Sequence, residues 1–83
     1  MIRLLYFAWV RERIGTGEET IEIPGELSLS ELVGLLAGRS PGHAAALADR
    51  ARLRAAVNHE FAAWDARVAP GDEVAIFPPV TGG

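Results

Sequence analysis

Ile2-Arg3-Leu4-Leu5-Tyr6-Phe7-Ala8 is a run of branched and aromatic residues, the composition of a β-strand. One face carries Ile2, Leu4 and Tyr6, the other Arg3, Leu5 and Phe7. Both faces are largely apolar, which places the strand inside a sheet rather than at its edge. Downstream, Glu19 to Ile23 alternates Thr20 and Glu22 against Ile21 and Ile23, then stops at Pro24-Gly25. The two strands are expected to pair as a hairpin. Between them, Trp9 to Ile14 has room for one short helical turn before Gly15, and Gly15-Thr-Gly-Glu18 is turn chemistry.

A helix follows. Ser28 with Glu31 three residues on matches a capping box, and Leu29, Leu32, Val33 and Leu36 form one apolar stripe up to Gly38. Pro41-Gly42 opens an alanine-rich stretch, Ala44 to Ala51, expected as a second short helix. Leu53 to Val57 reads as a strand, Asn58-His59 as a two-residue turn, and Glu60 to Ala63 as the antiparallel return. After the turn Ala69-Pro-Gly-Asp72, the final strand runs from Glu73 to Phe77, with Val74 and Ile76 on one face and Ala75 and Phe77 on the other. Pro78-Pro79 ends any ladder, since neither residue has an N–H to donate. A strand pair, a helix and further strands on one small sheet make an α+β fold.

The chain has 83 residues, the size of one domain. The expected division is a folded body over residues 1–79 and a tail over 80–83. Net charge is −3, which argues against nucleic acid as a partner. No stretch approaches the length of a membrane-spanning helix, so neither a membrane partner nor a signal peptide is expected, and the cytoplasm is the expected compartment. There is no cysteine, which excludes thiolate metal sites and a Cys nucleophile. His43 and His59 are too few for a multi-histidine metal site, and no metal is expected. All eight basic residues are arginine, so lysine chemistry is excluded as well.

The remaining polar groups read as structural. Glu18, Glu19, Glu22, Asp72 and Glu73 flank turns and are expected to be solvated. His43 and His59 read as turn residues. Ser28, Ser30 and Ser40 read as caps. No acid–base constellation is visible, so no catalytic residue is expected in the chain itself.

Two features stand apart. The first is the tail Val80-Thr81-Gly82-Gly83 behind two prolines. Prolines favour an extended course, four residues reach roughly 13 Å, and glycines without Cβ atoms fit a narrow channel. The terminal carboxylate, with a reference pKa of about 3.3–3.7, is ionised at neutral pH. The second is the sheet face that the helix does not cover. Leu5, Phe7, Ala75 and Phe77 are expected there, with Phe61 a neighbour, and such a patch marks a protein interface.

Three segments carry a resemblance. They are Arg3-Leu-Leu-Tyr-Phe-Ala-Trp-Val-Arg-Glu-Arg-Ile-Gly15, Ala56-Val-Asn58, and Gly71-Asp-Glu-Val-Ala-Ile-Phe-Pro-Pro-Val-Thr-Gly-Gly83. Together they resemble the small, sulfur-carrier subunits of molybdopterin synthase, in the MoaD/ThiS family of ubiquitin-like β-grasp proteins. The resemblance runs from residue 2 to residue 83 and is strongest at the end of the chain. It implies a small mixed sheet packed on a helix. It implies that a ubiquitin-activating-like adenylyltransferase adenylates the Gly83 carboxylate with ATP, and that sulfur then replaces AMP to leave a thiocarboxylate. It further implies a partner large subunit whose active site takes in Val80, Thr81 and Gly82. Sulfur would there reach cyclic pyranopterin monophosphate, during molybdenum cofactor biosynthesis, in a heterotetramer. Leu5, Phe7, Phe61, Phe77 and Pro78 would form the docking face. The chain would bind no cofactor of its own; ATP belongs to the activating enzyme. Arg11 and Glu12 match the family pattern, though a local ion pair explains them equally. Alternatives are a sulfur carrier for thiamine-thiazole or another pathway, and a non-conjugated β-grasp binding module.

Overall fold

The computed structural model describes residues 1–79. The first strand, β1 (Ile2–Tyr6), runs directly into helix α1 (Ala8–Ile14), which is followed by β2 (Glu18–Ile21). A two-residue strand β3 (Leu27–Ser28) leads into α2 (Leu29–Ala37), then α3 (Pro41–Ala46) and a 3₁₀ turn at Arg50–Arg52. The chain closes with β4 (Arg54–Val57), β5 (Glu60–Ala62), β6 (Arg67–Val68) and β7 (Glu73–Phe77).

Five strands form one sheet in the order β2-β1-β7-β4-β5. β1 pairs antiparallel with β2 and parallel with β7, whereas β7 pairs antiparallel with β4. β1 is therefore an interior strand, as its two apolar faces required. β3 and β6 pair apart from this sheet, through Leu27 opposite Val68.

One face of the sheet carries Ile2, Leu4 and Tyr6 of β1 with Val74 and Ile76 of β7, each at most 1% exposed. Leu29, Leu32, Val33 and Leu36 of α2 join them in the core. The stripe read from the sequence is thus the buried face of α2. The capping box is formed: the Ser28 hydroxyl accepts the Glu31 N–H at 3.1 Å, and Glu31 Oε1 accepts the Ser28 N–H at 2.9 Å.

Local structure departs from expectation in three places. α1 is a seven-residue helix rather than a single turn, stopped by Gly15 at φ 98°, whose N–H donates to the Arg11 carbonyl. α3 begins at Pro41, because the Ser40 side chain accepts the His43 N–H and proline suits the first helical position. The helix ends at Ala46, so Ala51 falls in the 3₁₀ turn capped by Asp49. Gly42 is required where α3 crosses α1, since a Cβ there would strike the Arg13 carbonyl.

Asn58 and His59 both adopt positive φ, at 50° and 71°. This is the two-residue hairpin turn expected between β4 and β5, with histidine where glycine is favoured. His59→Gly is expected to raise stability by about 0.5–1 kcal/mol, because an L-residue in left-handed backbone is strained. A thermal melt should show Tm higher by about 2–8 °C. A helix held in the concavity of this mixed sheet, with parallel first and last strands, is the ubiquitin-like β-grasp arrangement.

Candidate functional site

Paired residues on adjacent strands share a face, so the strand register shows what the uncovered side presents. Leu5 lies opposite Ala75, Ala75 opposite Ala56, and Ala56 opposite Phe61. These four residues form one apolar row across four strands. Glu18 of β2 stands at its end opposite Leu5. Farther along β7, Phe77 sits opposite Arg54. The Phe61 and Phe77 rings meet at 5.9 Å between centroids, tilted by 51°. They line an open groove of 290 Å³ together with Arg54, Ala55 and Ala62.

Most of the apolar residues expected on this face are present there. Phe61 is 83% exposed and Phe7 48% exposed, whereas Leu5, Phe77 and Pro78 are half-buried. Phe7 lies between β1 and α1, where its N–H donates to the Ile76 carbonyl. The next residue, Ala8, has φ 53°, so the chain turns through left-handed backbone to enter α1. That strain, of order 1 kcal/mol, sits beside the end of the last strand. Ala56 was not among the expected face residues; the β4–β7 register reveals it, and Ala75 opposite was the available signal. The tail residues Val80, Thr81, Gly82 and Gly83 lie outside the described residues. The chain approaches them through Pro78 and Pro79, directly after β7.

A second polar cluster corrects the sequence reading. Glu19 was expected to be solvated and His43 to be a turn residue. Instead, Glu19 lies opposite Leu4 on the inner face of the sheet, and His43 is a buried residue of α3. Glu19 Oε2 accepts the Tyr6 hydroxyl at 2.7 Å and lies 2.7 Å from His43 Nε2. His43 Nδ1 lies 2.7 Å from the Ser40 hydroxyl, and an Arg39 Nη2 stands 3.4 Å from Glu19 Oε1. Alternation backwards from Ile21 was the signal, since it puts Glu19 inward. Burial pushes the Glu19 carboxyl up, but hydrogen bonds from His43 and Tyr6, with the charges of His43 and Arg39, outweigh it, and the net direction is down. Burial, and then Glu19 itself, push the Tyr6 hydroxyl up, so it stays a donor. The cluster ties β1, β2 and α3 together without adjoining the outer face.

Glu19 gives a stability signature. Its folded carboxyl is more acidic than its unfolded one, so the unfolded chain binds more protons in the acid range. The contribution is present above the ordinary glutamate value of about 4.3 and is lost as pH falls through the lower folded value. Glu19→Gln should therefore flatten part of the acid limb of a stability–pH curve. At neutral pH it should cost about 1–3 kcal/mol by urea titration, through weaker bonds to His43 and Tyr6.

Among the described residues no group of three or more His, Asp or Glu side chains could hold a metal ion, and no helix is long and apolar enough to cross a membrane. Arg11 and Glu12 line a polar hollow with Gly15, Thr16 and Gly17, and they form no ion pair with each other. The described residues thus present an apolar outer face on the strands that lead toward the sequence's final glycines.

Known proteins share this arrangement of sequence and fold. The molybdopterin synthase sulfur carrier subunit of Escherichia coli (strain K12) is 43% identical over 84 residues, covering all of both chains. The protein of the same name from Haemophilus influenzae is 37% identical, again covering all of both chains. The crystal structure of SAMP1 from Haloferax volcanii superposes with a TM-score of 0.78 at 28% identity, over 99% of this chain and 98% of that one. The sequence signature of the ThiS family matches residues 4–83, through the apolar face and on to the final glycines, and the chain belongs to that family.

Proposed function

We propose that this chain is the sulfur carrier subunit of a molybdopterin synthase. The observation that carries the reading is the outward row Leu5–Ala75–Ala56–Phe61, with Phe77 beside it, at the base of the segment leading to Gly83. The full-length likeness to carrier subunits of that name supports it. The face docks on the large subunit, and Leu5, Phe7, Phe61, Phe77 and Pro78 make the contact. Val80, Thr81 and Gly82 thread the large subunit's active site and deliver Gly83.

The chemistry belongs to Gly83 and the partners. An oxygen of its carboxylate attacks the α-phosphorus of ATP on an activating enzyme, and pyrophosphate leaves. AMP is a far better leaving group than oxide, so the outer sulfur of a donor persulfide can displace it to form an acyl disulfide; a thiol then attacks the donor's sulfur, forms a disulfide with it and releases the Gly83 thiocarboxylate. In the synthase the sulfur passes to cyclic pyranopterin monophosphate; two such transfers complete the dithiolene. The synthase is a heterotetramer of two small and two large subunits, and the reaction is cytoplasmic. The carrier itself provides reach and docking, without an acid or base.

Intact-mass analysis tests the reading. The protein is incubated with ATP, the activating enzyme and a sulfur donor. The expected gain equals replacement of one oxygen by sulfur. No gain, with an activating enzyme shown to work on its own carrier, overturns the proposal in favour of a plain binding module.

A further inference from the structure

β7 lies between β1 and β4, parallel to the first and antiparallel to the second. The ends of β1 and β7 and the start of β4 therefore share one edge of the sheet. At that edge the Trp9 ring takes two guanidinium groups, Arg13 at 5.0 Å and Arg52 at 5.2 Å from its centroid. Trp9 follows β1 and Arg52 precedes β4, so their contact spans the end of β7, where Pro78 leads toward Gly83. Arg54, opposite Phe77, stands at the same edge, with Nη1 donating to the Leu53 carbonyl at 2.7 Å. All three arginines are exposed. Among the described residues none of them pairs with a carboxylate, whereas Arg3, Arg39 and Arg67 all do. A chain of net charge −3 thus gathers uncompensated positive charge at the root of its tail.

We propose that Arg13, Arg52 and Arg54 form a cationic collar that docks on a carboxylate-bearing rim of the large synthase subunit, around the opening that admits the tail. The inference rests on the sulfur-carrier reading above. Length selects a protein rim over a small anion: the four residues after Pro79 span about 13–14 Å when extended. A phosphate group on the sulfur acceptor, at the far end of that span, is out of the collar's reach. Stacking on Trp9 holds the two guanidinium groups in place, which reduces the entropy lost on docking. The collar adjoins Phe77, so one surface presents an apolar centre and a charged rim, the layout of protein interfaces.

The test is the affinity of the full chain for the cognate large subunit, titrated across salt concentrations. The Arg13→Gln/Arg52→Gln double variant should bind about 10-fold more weakly at about 50 mM salt and within about 2-fold of the parent at about 0.5 M. Its affinity should depend less steeply on salt, and Arg13→Lys/Arg52→Lys should restore most of the loss. Arg67→Gln, at a different strand, should match the parent. Should the double variant melt early, Arg54→Gln alone should show the same sign at about 3-fold. Equal affinity and equal salt dependence overturn the collar. Tighter binding by the glutamine variants overturns it too, because the arginines would then hold the chain's own Gly83 carboxylate. A parent chain that binds no large subunit at any salt sinks the sulfur-carrier reading and the collar with it.

Discussion

Deleting Gly82 and Gly83 should abolish thiocarboxylate formation and leave the fold intact. In the proposed role the reacting carboxyl is that of Gly83, so a truncated chain presents a different carboxyl, about two residues short of its target. Misplacement by even 1 Å can cost about 100-fold, and two residues remove some 7 Å of reach, so no modified mass should be detectable. Among the described residues the core cluster is built from side chains between Ile2 and Ile76. Tm should therefore hold within about 1 °C, as for surface changes away from packed features. Gly82→Val separates reach from width: it keeps the length and the terminal carboxylate but adds a branched side chain that a narrow channel excludes. It too should block sulfur transfer. Full modification of the truncated chain would mean that Gly83 does not carry the sulfur, and full modification of Gly82→Val would remove the narrow channel while leaving Gly83 in its role.

The second large effect is at the face. Phe77→Asp should weaken binding to the large subunit by about 100-fold or more, the scale of an aromatic anchor lost from an interface centre. A carboxylate there would also have to be desolvated on docking, a cost that Arg54 opposite offsets only in part. The ring lies half-buried against Phe61, outside the core cluster, so the substitution should cost about 1 kcal/mol of stability or less. Ile76→Asp, one residue earlier on the opposite face and fully buried, should instead unfold the domain. Calorimetric titration with thermal melts of both variants checks the pair. Parent-like affinity of Phe77→Asp would remove Phe77 from the docking face.

The two substitutions differ by one residue because alternation along β7 is strict, and that alternation was legible in the sequence. So were the α2 stripe, the capping box and the Asn58-His59 turn, since each is a local rule of backbone geometry at fixed spacing. Two-residue strands such as β3 and β6 carry too few side chains for any periodicity to show. The start of α3 was missed by three residues because the alanines dominate its composition, while the Ser40 cap sets its first turn.

The sequence by itself determined the class of fold and the inward and outward sets of β1 and β7, because alternation and residue identity are local properties. Tertiary structure alone decided which distant residues meet. Parallel pairing of the first and last strands brought the Phe7 N–H to the Ile76 carbonyl, and the β4 register added Ala56 to the outward apolar row. The same closure carried Arg52 across the end of β7 to Trp9, and brought His43 to Glu19 across 24 residues of chain. Contacts between residues so far apart depend on the register and order of the strands, which no single stretch of sequence encodes.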